Sequence, residues 1–388
     1  MLAQIFQISL LNLRNLPQRL GSSSVIVVGI GGVVAVLVAI LAMAAGFSAT
    51  LNRSGAPDRA IVLRGGSSSA ELSSTIDNQS RQFVGTLDGV RLSSGELYTV
   101  ADIPKRATLL PSNVVIRGVE QSAFEIRPEV RIIEGRNFSP GRNELIAGRA
   151  ASEQFVGIDL GESVELRQSE WEIVGIFEAD GSAYESELWT DLAIAQSAFR
   201  RFNTISSMRL QLEQPGVTDP LQEAFDNNPS IDLAVTSEEE FFRSQSQFLT
   251  TLITGFGYGV ALIMAVGAMF AALNTMYAAV STRTVEIATL RALGFGATPV
   301  VVSVLAEAVA LALIGGLLGA AVAWFGFNGY TVSTLNQGSF SQVAFDFAVS
   351  PDILVTGIVW ALSLGLAGGL FPALQAARMP ITRALRGD

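Results

Sequence analysis

Four stretches of this 388-residue chain, Val25 to Phe47, Leu249 to Val280, Val300 to Phe325 and Ile353 to Ala377, contain one charged residue between them, Glu307. Each is longer than the roughly 20 helical residues needed to cross a bilayer core. A water-soluble fold of this size does not bury four such runs, so they are read as membrane helices, with spans at 25–47, 300–325 and 353–377 and a stalk helix at 237–280 that continues into the second span. A cleaved signal peptide is a poor reading of the first run, because its 23 uncharged residues exceed the roughly 7 to 15 of a signal hydrophobic region.

Between the first and second runs lies a polar block, residues 48–247, holding 18 of the 25 basic and 30 of the 35 acidic residues, a net charge of −12. It is long enough to bury a core of its own. The seven remaining arginines set the orientation, since short cytoplasmic loops collect Arg and Lys. Arg14 and Arg19 precede the first span, Arg283 and Arg291 lie between the second and third, and Arg378, Arg383 and Arg386 follow the fourth. The short loop at 326–352 has Asp346 and Asp352 but no basic residue. Both termini and the 281–299 segment are therefore expected in the cytoplasm, with the polar block on the other side. Its acidity reads as a solvated face.

Absences narrow the chemistry. With no Cys and no His, disulfides, thiolate nucleophiles, the usual zinc sites and His-based triads are excluded. Lys105, in ADIPKRAT, is the only lysine, so the Gly-rich loop and lysine that grip nucleotide phosphates are missing from this sequence. Nothing suggests a nucleic-acid partner. Any ATP used is expected on another subunit.

The opening, MLAQIFQISLLNLRNLPQRL, sets Leu2, Ile5, Phe6, Leu10, Leu13 and Leu16 near one helical face before Pro17. Residues 1–24 are accordingly read as an amphipathic helix in the headgroup layer of the membrane lipids, in preference to a frayed start of the first span. Strand patterns within 48–247 occur at 60–63, 113–119, 130–135, 163–167, 171–177 and 208–213, with helical stretches near 192–202 and 220–227. The mixture implies an α+β domain, with 115–205 as a possible inserted subdomain. Ser67 to Ser69, with Ser73 and Ser74, mark a loose loop, and Trp171, Trp189, Trp324 and Trp360 read as packing or interface anchors. From Ser237 the pattern turns helical behind Glu238, Glu239 and Glu240, and a continuous helix of 237–280 would be about 66 Å long, enough to project from the bilayer as a stalk. Gly255, Gly257 and Gly259 are candidate bends in it. In the third and fourth spans Gly315, Gly316, Gly319, Gly365 and Gly369 let helices approach closely, either within the chain or across a dimer seam.

The segment 281–299 carries RTVEIATLRALGFG. In a helix, Ile287, Leu290 and Gly294 fall along one side with Arg283 and Arg291, and Glu286 lies on the neighbouring face. It is too short and charged to insert. It reads either as a helix on the inner surface on which a cytosolic protein can press, or as a positive-inside loop that fixes topology. Glu307, about nine residues further on, is an intramembrane carboxyl that costs roughly 2.5 to 3.5 kcal/mol to insert. It is read either as a polar contact in coupling or in a dimer seam, or as a hydrogen-bonded or protonated packing residue.

The string RTVEIATLRALG at 283–294, Glu307 with the Gly-rich third span, and the ending GLFPALQAARMPITRALRGD resemble the FtsX-like, or MacB-type (type VII), ABC permeases. ELIAGRAA at 144–151, VGIDLGESVEL at 156–166 and WEIVGIFEADGSAYESELWTDL at 171–192 are similar to the outer domain of that family. The resemblance implies four transmembrane helices with a large α+β extracytoplasmic domain between the first two, in a bacterial inner membrane. It also implies a non-catalytic permease that pairs with a second copy or paralogue and takes a cytosolic ABC ATPase, which carries the ATP and magnesium. The coupling helix would then comprise Arg283, Glu286, Ile287, Leu290, Arg291 and Gly294. Movement of periplasmic domains would drive export or extraction of a hydrophobic, peptide, drug or lipoprotein cargo, with a periplasmic adaptor or carrier as a further partner. Control of a cell-wall hydrolase and a membrane-anchored sensor are the alternatives.

Overall fold

The computed structural model describes residues 20–66, 70–336 and 341–380. The headgroup-layer helix, the serines at 67–69 and the arginines beyond 380 lie outside the described residues. The chain divides into two compact units, a helical one (residues up to Ala45, Leu252–Tyr330 and from Phe347) and a sheet unit (Gly46–Thr251 and Thr331–Asp346).

The long helices are α1 (Leu20–Asn52), α2 (Glu238–Thr282), α4 (Ala297–Phe327) and α5 (Pro351–Arg378), with the short α3 (Thr284–Ala292) between α2 and α4. All four long helices are apolar and long enough to cross a membrane. Ser350 caps α5 by accepting a hydrogen bond from the Ile353 amide, with Pro351 at the first helical position, where a missing N–H costs nothing.

Within the helical unit the core is built largely from Ala, Gly and Val, including Val34, Val38, Ala268, Ala272, Ala308, Ala312, Ala361 and Ala376. Glycine makes the tightest approaches. A Cβ on Gly315 would lie 2.7 Å from the Val27 carbonyl oxygen, and one on Gly319 would collide with the carbonyl of Gly31, so α1 and α4 meet backbone to backbone. Gly316, Gly365 and Gly369 sit equally close to Ala361, Ala312 and Ala308, which joins α4 to α5. Both seams are intrachain. The glycines of α2 divide: Gly257 packs against Ile40, while Gly255 and Gly259 face open space, and α2 runs unbroken through all three.

The sheet unit contains β1 (Arg59–Arg64), β2 (Ile76–Asp77), β3 (Val90–Pro104), β4 (Pro111–Val119), β5 (Arg131–Gly135), β6 (Glu144–Gly148) and β7 (Ser163–Leu166). It continues with β8 (Ser169–Glu178), β9 (Glu187–Asp191), β10 (Thr204–Ile205), β11 (Ser207–Leu212), β12 (Leu233–Ser237) and the hairpin β13 (Thr331–Asn336) and β14 (Ser341–Asp346). Ten strands form one mixed sheet in the order β12-β1-β11-β3-β4-β9-β6-β8-β5, with β7 on β8. The stretch 115–205 extends this same sheet, because its Val115–Val119 pairs antiparallel with Glu96–Val100 of β3, outside it, and in parallel with Glu187–Asp191, within it.

Alternation along the strands gives the sheet two chemically different faces. One buries Val62, Leu97, Met208 and Leu210 in one cluster and Ile103, Ile116, Leu145, Trp171 and Leu188 in another. The residues between them, such as Glu96, Arg117, Glu187 and Arg209, point the other way and are also buried. The β13–β14 hairpin is tied to this unit by Lys105, whose Nζ donates to Ser333 Oγ at 3.0 Å and Gln342 Oε1 at 2.9 Å.

Candidate functional site

α2 and α3 are separated by one residue. Arg283 stands at the N-cap of α3 with φ −108° and ψ 15°, outside helical geometry, so the chain turns there without a loop. Its amide donates to Val280 and its carbonyl accepts from Ile287, which keeps both helix ends satisfied across the turn. At the other end Gly294 adopts φ +96°, a left-handed conformation that favours glycine, and α4 begins at Ala297. α3 is thus a nine-residue segment between two tight corners.

Two arginines hold its ends. Arg283 Nη1 donates to Glu307 Oε2 of α4 at 2.9 Å, and the two residues are 7% and 4% exposed, so this is a buried ion pair. Arg291 Nη1 donates to the Met379 carbonyl, just past α5, at 2.7 Å. Between these ties lies a cavity of about 40 Å³, lined by Val280, Ile287, Leu290, Val300, Val304 and Glu307 among others. The Glu307 carboxylate therefore has a counter-charge, supplied from the segment between the spans.

The six residues expected to form one contact surface consequently divide. Arg283 and Ile287 are buried and Leu290 and Arg291 half-buried, because the stripe at four-residue spacing is the one turned toward α2 and α4. Glu286 and Gly294 are exposed, and with them Val285, Thr289, Ala292 and Leu293. Val285 and Leu293 are 57% and 73% exposed. Sequence reasoning named Glu286 and Gly294 but passed over Val285, Thr289, Ala292 and Leu293 beside them, although the spacing 285/289/292 and 286/293 is also helical.

A second feature was not legible at all. On the polar-sequence face of the sheet, Arg117 makes a bidentate pair with Glu187 at 2.6 and 2.7 Å, and its Nη1 reaches Glu71 at 2.9 Å and Glu96 at 2.8 Å. Arg127 pairs with Glu96, Arg209 with Glu71 at 3.0 Å and with Glu238 at 3.1 Å, and Arg59 with Glu238 at 2.8 Å and Glu129 at 2.6 Å. Aromatic rings line the arginines: Arg117 lies 4.8 Å from the Tyr98 ring centre and Arg127 lies 4.7 Å from that of Trp189. Burial would raise the Glu71 pKa, but Arg117 and Arg209 more than offset it and hold the group down at about 2. The network also fixes the start of α2, through Glu238.

Two family profiles match the chain: the MacB-like periplasmic core domain over residues 23–228, and the FtsX-like permease C-terminal region over 258–381. The first alone spans more than half of the chain. The chain belongs to the FtsX-like, MacB-type permease family. The macrolide export ATP-binding/permease protein MacB of Bdellovibrio bacteriovorus is 22% identical over 299 residues, covering 71% of this chain and 44% of that protein. The uncharacterized ABC transporter permease YknZ of Bacillus subtilis is 24% identical over 293 residues, covering 71% of this chain and 70% of its own length. This FtsX-like permease thus spans less than half of the Bdellovibrio relative. The periplasmic region of MacB from Actinobacillus actinomycetemcomitans aligns with 50% of this chain and 94% of its own, at a TM-score of 0.38 and 10% identity. As an FtsX-like ABC transporter permease with four apolar helices and a periplasmic-type domain, the protein fits an inner membrane.

Proposed function

We propose that this permease is the membrane subunit of an ABC transporter in which a separate cytosolic ATPase, carrying ATP and magnesium, docks on α3. ATP binding and hydrolysis there move the sheet unit on the periplasmic side, together with that of a second permease copy or paralogue. Work done outside the membrane would export or extract a hydrophobic, peptide, drug or lipoprotein cargo, received by a periplasmic adaptor or carrier. Both chain termini then lie in the cytoplasm.

The observation that carries this reading is the outward face of α3. Val285, Glu286, Thr289 and Leu293 offer two apolar side chains around a carboxylate on a helix held from behind. A loop serving only to fix topology needs neither feature. The spans themselves support mechanical work better than a solute path, since their facing surfaces are Gly and Ala in close contact.

The test is co-purification of the tagged permease with its ATPase from membranes. Wild type is expected to retain the ATPase, and Glu286→Lys or Leu293→Asp to lose it, while Gln214→Lys on the exposed surface of the sheet unit changes nothing. A folded wild-type permease that never brings down an ATPase, or one whose capture survives both α3 variants, would overturn the proposal.

A further inference from the structure

We infer that Arg283 and Glu307 form a pin that makes α3 and α4 one moving part, so that pressure on α3 is delivered to the third span and not only to α2, with which α3 is contiguous in sequence. The inference rests on the docking role of α3 proposed above, and it assigns Arg283 and Glu307 as positioning residues.

The geometry asks for such a tie. α3 meets α2 through one non-helical residue and meets α4 through a glycine in the left-handed region, so the backbone at both corners is a natural place to bend. The apolar contact beneath α3 is incomplete, with a cavity of about 40 Å³ between Ile287, Leu290 and the residues of α4. Packing alone is therefore a weak link at this point. The ion pair crosses that gap. Separating α3 from α4 would pull Arg283 away from the buried Glu307 carboxylate, and breaking a buried ion pair is among the most costly changes in a protein. Any movement of α3 that keeps the pair together must carry α4 with it. At the far end, the Arg291 bond to the Met379 carbonyl ties α3 to the end of α5 in the same way, but through one neutral acceptor. The two ties differ in strength, and the Arg283 end is the stronger.

The pin is tested in two readouts. The first needs no ATPase. The natural chain has no cysteine, so Ile287→Cys is the only thiol in that variant, and its reaction with a membrane-impermeant maleimide in inside-out vesicles reports release of α3 from α4. With Glu307 intact the thiol is expected to be protected. Adding Glu307→Gln should raise the labelling rate about tenfold or more, and the charge exchange Arg283→Glu with Glu307→Arg should restore part of the protection. The second readout is the nucleotide-dependent change in protease sensitivity of the sheet unit in the complex with the ATPase. Glu307→Gln should leave ATPase capture intact and abolish that change. Unchanged Ile287→Cys labelling in Glu307→Gln would overturn the pin. Increased labelling with a normal nucleotide response would overturn its role in coupling. If the wild-type permease captures no ATPase, the docking proposal fails while the labelling result still decides whether the pin exists.

Discussion

The two units solve the problem of burial in opposite ways. In the helical unit the close contacts are Gly315, Gly319, Gly365 and Gly369 against backbone or Ala, and a buried ion pair joins Arg283 to Glu307. In the sheet unit the buried face carries Arg59, Arg117, Arg127 and Arg209 against Glu71, Glu96, Glu187 and Glu238, stacked among Tyr98, Tyr184 and Trp189. The difference follows from the solvent each unit faces. Lipid offers helices no hydrophobic reward for associating, so they gain by bringing backbones close, which only small residues permit. A domain in water gains from burying large side chains, and it can bury charge when each ion is matched several times over. The lesson is mechanical. The helical unit is joined by close glycine and alanine contacts, whereas the sheet unit is tied around the start of α2 by a network of ions most of which have more than one partner.

The largest effect should come from breaking that network. Arg117→Leu takes the arginine from Glu187 and one partner each from Glu71 and Glu96, and should cost about 3 to 5 kcal/mol, read as loss of cooperative unfolding and of protease resistance in the sheet unit. Acid tests the same point in wild type. Because the Glu71 carboxyl sits at about 2 in the folded protein against an ordinary 4.5, the unfolded chain takes the proton first. The stability this group contributes is complete above about pH 4.5 and is lost as pH falls through about 2. Arg117→Leu, which leaves Glu71 with Arg209, should show a smaller acid-dependent step. A variant as stable as wild type at neutral pH would remove the contrast between the units.

A smaller effect is expected in the helical unit. Gly319→Leu must push α1 from α4 and should cost about 1 to 3 kcal/mol, measured as a lowered midpoint for unfolding in mixed micelles. Gly255→Ala, where nothing lies within 4 Å, should be neutral or slightly stabilising. Equal effects at the two positions would mean that the glycine seam is not what holds these helices together.

What the sequence disclosed tracks this same contrast. The four apolar helices were legible because spans announce themselves by unbroken hydropathy, and six strands, including Arg59–Arg64 and Ser169–Glu178, were found by their apolar alternation. Strand β3 was passed over because Ser94 and Glu96 read as surface residues, when they are buried on the ionic face. The hairpin at 331–346 read as loop, its strands being rich in Ser, Thr, Asn and Gln. The short α3 was placed correctly as a helix, but its residues were grouped by the stripe that contains Ile287 and both arginines. Periodicity finds a stripe without saying which way it faces. Only the partners, Glu307 for Arg283 and the Met379 carbonyl for Arg291, show that this stripe faces inward. A lone carboxylate in an otherwise uncharged span was the one available signal that a cation must come to meet it.

The central claim, that work enters at α3 and leaves through the sheet unit, is tested most directly by a distance. Spin labels on Gln214→Cys of this chain and on the sheet unit of the second permease copy, in complexes with the ATPase in lipid nanodiscs, report movement between nucleotide-free and ATP-trapped states. The account predicts a shift of the distance distribution on ATP binding that disappears in Glu286→Lys. A complex that binds and hydrolyses ATP while that distribution stays unchanged would contradict it.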